Sequence, residues 1–235
     1  MNTAKWMAGA VAIGIAIGTA EAGTISGIIT FDGKAPKAKS VRMSSDAFCH
    51  KEHPKGMESE SVVVGKKGEL KNVVVYLKSG VKGDFPAPKK PAVFDQKGCW
   101  YSPHVLAIQA GQPLMVRNSD STLHNVHALP KANKGFNFAQ PKAGLEKEII
   151  LDKAEVSIPV KCDVHNWMSA RIAVIPHPFF AVSGEDGSFT IQDVPAGSYE
   201  MEAWHEVFGA MTQTVTVDKT GSIKASFTFK DKKGS

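Results

Sequence analysis

The chain has 235 residues, enough for one large β domain or two small ones that each bury a core. Its 28 Lys and Arg against 23 Asp and Glu give a formal charge of +5. The lysines are scattered and form no basic stripe interleaved with aromatics, which excludes nucleic acid as the expected partner and leaves a mild attraction to an acidic redox partner or a membrane surface.

Residues 1–22 read as a secretory signal peptide. Lys5 supplies the positive start, Trp6 to about Ala16 the apolar run, and Ala20-Glu-Ala22 a small-x-small cleavage site before Gly23. The run is broken by glycines and is shorter than the ~20 residues a spanning helix needs, so no integral membrane segment is expected after cleavage. The expected location is periplasmic or secreted. Three cysteines in an oxidising compartment make an odd count. Cys162 is set apart by its neighbours, which leaves Cys49 and Cys99 to form a disulfide. The alternative is a second metal site, because Cys49-His50-x-x-His53 and Cys99-x-x-x-x-His104 also have ligand-like spacing.

From Gly23 onward the pattern predicts an all-β chain. Thr24 to Phe31 alternates and ends at Asp32-Gly33; Lys34 to Glu60 is a polar, irregular stretch carrying Cys49. Ser61-Val-Val-Val64 and Lys71 to Leu77 predict a hairpin of β-branched strands. Lys78 to Pro91, rich in Gly, Pro and Lys, marks a boundary. Strands are then expected at Val93–Tyr101, Val105–Gln109, Pro113–Arg117 and His124–Leu129, with Pro130 to Gly144 as loop in which Phe136 and Phe138 pack. Glu148–Leu151 and Val156–Val160 precede a loop at Cys162, and Arg171–Ile175 closes this unit. Phe180 to Ile191 turns at Asp186-Gly187, and strands around Tyr199–Trp204, Thr212–Val217 and Ile223–Phe229 finish the chain. The segments implied are 23–90, 91–177, 178–231 and a tail, 232–235.

The chemistry is concentrated in Val160-Lys-Cys-Asp-Val-His-Asn-Trp-Met-Ser-Ala170. Cys162, His165 and Met168 are a thiolate, an imidazole and a thioether within seven residues, a soft set that favours copper. A fourth ligand is expected from Asn118-Ser-Asp-Ser-Thr-Leu-His-Asn-Val-His127, where His124 is preferred. His127, three residues on, falls on the opposite face of an ideal strand. His104, His177 and His205 read as structural or as supports around the ligands rather than as ligands, and Trp167 as a packing residue, a shield for the metal or a tunnelling surface.

Residues 93–176 resemble a cupredoxin: a buried first strand, the run Gly111-Gln-Pro-Leu-Met-Val-Arg-Asn-Ser-Asp120, a later His, and a Cys-His-Met loop. The flanks resemble two halves of a carboxypeptidase-regulatory-like, transthyretin-like sandwich, the first running from Ile25 to Tyr76 and the second from Asp186 to Ala203. Together these imply a Greek-key copper sandwich inserted into a second, discontinuous β-sandwich. The resemblance implies a mononuclear type 1-like copper site with His124, Cys162, His165 and Met168 as ligands. It also implies an Asn125 amide that donates to the thiolate, and electrons passing through a partly exposed His165 ring. The two residues between His165 and Met168 are fewer than plastocyanin-like loops have. A His-x-x-Met ending is similar to the binuclear copper domain of cytochrome oxidase, which needs a second loop cysteine that this chain lacks.

The expected function is electron transfer by Cu(II)/Cu(I) cycling with a redox partner such as a c-type cytochrome or a copper oxidoreductase, and no enzymatic activity. Two alternatives stay open: a copper-binding or delivery protein, motivated by His50, His53, His104 and His127, and an interaction module with a degenerate copper site.

Overall fold

The computed structural model describes residues 22–219 and 221–231. The signal-peptide reading therefore lies outside the described residues, apart from Ala22, as does the 232–235 tail. Among the described residues no helix is long and apolar enough to cross a membrane.

The first block contains β1 (Ala22–Asp32), β2 (Ser40–Val41), the short helix α1 (Ala47–Glu52), β3 (Met57–Glu58) and β4 (Val74–Ser79). The middle block holds β5 (Ala92–Gln96), β6 (Tyr101–Ser102), β7 (Val105–Gln109), β8 (Pro113–Asn118) and β9 (His124–Ala128). It continues with β10 (Phe136–Gln140), β11 (Leu145–Ile150), β12 (Glu155–Lys161) and β13 (Ser169–Ile175). The last block is β14 (Phe180–Val182), β15 (Ser188–Pro195), β16 (Gly197–His205), β17 (Gly209–Val217), β18 (Ser222–Lys224) and β19 (Phe227–Lys230). The chain is all-β, as its alternating patterns require.

Two sheets belong to the middle block, in the orders β10-β9-β12-β13-β7 and β11-β8-β5-β6. Phe94, Ile108, Leu114, Val116, Val126, Ile158, Ile172 and Val174 fill the space between them. The first and last blocks share two other sheets, β15-β1-β18 (with β19 also on β1) and β14-β4-β16-β17. Ile25 faces Ile191 across β1 and β15, and Val75 lies between Ala181 of β14 and Ala203 of β16. Ile25, Ile29, Val75, Leu77, Phe189, Met201 and Phe227 form their common core. β1 comes so close to the end of the chain that a Cβ on Gly27 would sit 1.7 Å from the Ala225 carbonyl oxygen. A third apolar cluster, Val74, Val105, Ala173 and Ile175 with Trp204 against it, joins the two pairs of sheets.

Three expectations are corrected. Ser61–Val64 and Lys71–Leu77 do not form a hairpin; only a Val64–Leu70 bridge survives. Asn72, at φ 66°, turns the chain, and its amide and that of Val73 bond instead to the carbonyl oxygen and hydroxyl of Ser183. Long-range partners across 110 residues outcompete the local one. The strands either side of Asp186-Gly187 likewise separate, β14 to the sheet of β4 and β15 to that of β1. Finally, Phe136–Gln140 is a strand, not loop, paired along the full length of β9.

His205, fully buried beside Phe208 and Phe229, accepts the amides of Val207 and Phe208 at Nδ1. Burial, aided by repulsion from His104 and opposed by Glu206, pushes its pKa from the ordinary 6.5 down to about 4. The folded state thus holds a neutral ring where the unfolded chain takes up a proton. The stability this supplies is complete above the unfolded value and is lost as pH falls from 6.5 to about 4. Denaturant titrations of wild type and His205→Asn should therefore differ in pH dependence by about 3 kcal/mol over that window.

Candidate metal centre

β12 ends at Lys161 and β13 begins at Ser169, so Cys162 to Met168 must reverse the chain in seven residues. The reversal is closed by its own backbone: Cys162 N–H donates to the Met168 carbonyl (3.2 Å) and Met168 N–H to the His165 carbonyl (3.0 Å). His165 N–H points at the Cys162 Sγ, 3.3 Å away. His124 enters from the start of β9, on the strand that pairs with β12. Met168 is 1 % exposed and packs in the same core as Cys162.

The structure brings His124, Cys162 and His165 together. Their donor atoms lie within 4.8 Å of one another and all three residues are buried. The two Nδ1 atoms face each other at 2.9 Å. Each Nε2 is bonded to a carboxylate: His124 to Asp120 Oδ2 at 2.8 Å, His165 to Asp46 Oδ2 at 3.2 Å. A carboxylate accepts only, so each Nε2 carries a proton and donates it. Burial would push Asp120 up, but the His124 ring and the amides of Cys99 and Gly98 outweigh it and hold Asp120 ionised. For Asp46, burial is likewise outweighed by the Cys49 amide, His165 and Thr122. Both Nδ1 atoms then converge on one point beside Cys162. A proton held between the rings, or between a ring and the Cys162 sulfur, or a bound cation satisfies that arrangement.

The thiol completes the donor set. Burial would raise its pKa, but hydrogen bonds from the His124 and His165 rings and from the Asn125 and His165 amides lower it to about 5. The expected Asn125 amide contact is among these. Asn125 is positioned in turn by Tyr101, whose hydroxyl donates to its carbonyl at 2.6 Å. Two imidazole nitrogens and a cysteine sulfur, buried together, are a donor set that fits a soft, thiophilic cation such as copper.

Asp46 comes from outside the middle block. It caps the N-terminus of α1, where its Oδ1 accepts the Cys49 amide at 2.8 Å. Cys49 is bonded through its sulfur to Cys99. The Cys99 and Gly98 amides donate to Asp120, each at 2.7 Å. The disulfide therefore links the amides that hold both carboxylates, and each carboxylate holds one ring.

The Cys49–Cys99 pairing overturns the second metal site, since neither sulfur is left as a thiolate. His53 bonds to the Gly98 carbonyl and His104 to Glu206 and the Ser169 carbonyl. His127 is paired with Asp163 at 2.9 Å and stands apart from the cluster. His177 bonds to the Leu77 carbonyl, a structural role like that of His205. The expectation of a partly exposed His165 is also overturned: the ring is 2 % exposed because Asp46 covers its outer nitrogen. Trp167 packs on the same ring, with centroids 4.9 Å apart. The sequence does not mark Asp120 or Asp46 as the holders of the two rings, and Asp46 lies 119 residues from its histidine.

Among known proteins, residues 178–225 match the family model described as polysaccharide lyase family 4, domain II. No curated protein matches the chain. Solved structures similar to it include a Cu-containing nitrite reductase from Thermus scotoductus SA-01, at 22% identity and a TM-score of 0.32. That match covers 42% of this chain and 25% of the reductase, so the chain spans about a quarter of that protein's length. A purple cupredoxin from Nitrosopumilus maritimus is similar at 23% identity and a TM-score of 0.31, over 35% of this chain and 98% of its own. A point mutant of amicyanin in its Cu(I) form follows at 19% and 0.32, over 36% and 81%.

Breaking the disulfide tests the scaffold directly. It closes a separation of 50 residues, so the double variant Cys49→Ala/Cys99→Ala should lose about 4 kcal/mol in chemical denaturation.

Proposed function

We propose that the chain is an exported mononuclear copper protein that carries electrons rather than an enzyme. The observation that carries this reading is the buried convergence of the His124 and His165 Nδ1 atoms on the Cys162 sulfur. His124, Cys162, His165 and Met168 would hold the copper of a type 1-like site. Copper bound there would supply a one-electron Cu(II)/Cu(I) couple.

The chain's own residues supply the rest. Asp46 and Asp120 fix both rings in one orientation before the metal arrives, so little has to move when the charge at the site changes. The Asn125 and His165 amides donate to the sulfur and disperse its charge. Burial keeps water from the ligands. That enclosure under a disulfide-fixed cap resists release of the metal, which favours electron transfer over copper delivery. The middle block would be a cupredoxin-like module inserted into the sandwich made by the first and last blocks. Export is supported by the signal-like start of the sequence and by the disulfide. A c-type cytochrome or copper oxidoreductase is the proposed class of redox partner.

Copper loading tests the proposal. The purified chain should bind one copper per molecule and show an intense visible thiolate-to-copper band, absent from Cys162→Ser. A band that persists in Cys162→Ser, or a wild type without one, refutes the assignment. The variants Asp46→Ala and Asp120→Ala should each weaken copper binding by about 10- to 100-fold in competition titrations, with the asparagine versions, which keep an acceptor, losing less.

A further inference from the structure

Every proposed ligand is closed off from solvent. His124 is 0 %, His165 2 %, Cys162 3 % and Met168 1 % exposed, and Asp46 covers the outer nitrogen of His165. An electron must therefore cross protein at some other point. The Trp167 ring lies on the His165 ring with planes 34° apart, and its indole N–H is anchored to the Cys99 carbonyl at 3.1 Å. Trp167 is only half-buried. Away from His165 it lines a surface groove with Lys39, Arg42 and Asn166.

Lys39 and Arg42 are exposed, and among the described residues neither ion-pairs with a carboxylate. Two cations without an ion-pair partner among the described residues thus share a groove with an aromatic ring that packs on His165, on a chain of net charge +5. Such a site attracts an acidic surface and orients it.

We propose that Trp167 is the electron-exchange point of the copper centre and that the Lys39–Arg42 groove docks an acidic one-electron carrier protein. This rests on the copper reading above. In each encounter one electron passes between the copper and the partner's redox metal; one is oxidised as the other is reduced, and no bond is made or broken. Trp167 holds no electron of its own in the exchange. It shortens the path between a buried imidazole and the docked surface.

The test uses the copper-loaded chain reduced to Cu(I) and mixed in a stopped-flow instrument with an anionic oxidant, hexacyanoferrate(III), or a cationic one, tris(phenanthroline)cobalt(III). The Lys39→Glu/Arg42→Glu variant should slow the anionic oxidant by about tenfold or more at low salt and speed the cationic one, with both effects shrinking as salt rises. The control Lys89→Glu/Lys90→Glu makes the same change in net charge elsewhere and should leave most of the rate in place. Trp167→Leu should slow both oxidants at an unchanged visible spectrum, and Trp167→Phe, which keeps a ring, should recover much of the loss. Equal effects from the two charge reversals, or Trp167→Leu rates equal to wild type, overturn the proposal while leaving the copper centre standing. A wild type that takes up no copper at Cys162 removes both.

Discussion

The structure depends on one covalent tie and the two amides beside it. Cys49 and Cys99 are joined through sulfur, and their backbone N–H groups each hold a carboxylate, Asp46 and Asp120. Those carboxylates each accept a hydrogen bond from the Nε2 of a histidine and so turn the two Nδ1 atoms toward each other and toward Cys162. Backbone is the stiffest part of a protein. An orientation that descends from disulfide to amide to carboxylate to ring is therefore fixed before any ligand is present.

The same tie explains why the segment between β1 and β4 stays ordered with so little secondary structure of its own. It contributes two short strands and six residues of helix. Its apolar side chains, Met43 among them, gather around the disulfide and Trp100 in a small separate core. That core sits over the His124–Cys162–His165 cluster, so the first block does more than flank the middle block: it closes the candidate site. Glu206, from the turn between β16 and β17, reaches across in the same way to His104 and Arg171, whose strand follows directly from the Cys162 loop.

Much of this was legible in the sequence. Cys162, His165 and His124 stood out because ligand chemistry demands particular residue types at short spacing, and that constraint survives in one dimension. Long alternating strands such as β1 and β16 were legible for the same reason. What was hidden depends on distance. Nothing in Ser45-Asp46-Ala47 separates a helix cap that also holds a histidine from any other helix cap, because its partner is 119 residues away. The strand pairings wrongly expected across the turns at Gly65 and Asp186 share this cause: alternation shows that a residue is half-buried in a sheet, and is silent on which sheet. Phe136-Asn-Phe-Ala-Gln140 did alternate, and the glycines and lysines around it masked the signal.

In the proposed centre, two imidazoles and one thiolate share a single copper in a buried site that Asp46 and Asp120 have arranged in advance. X-ray absorption at the copper edge of the loaded chain tests this most directly. A first shell of one sulfur at short range and two imidazole nitrogens, with the sulfur lost in Cys162→Ser, is the predicted result. A shell of oxygen and nitrogen alone would contradict it.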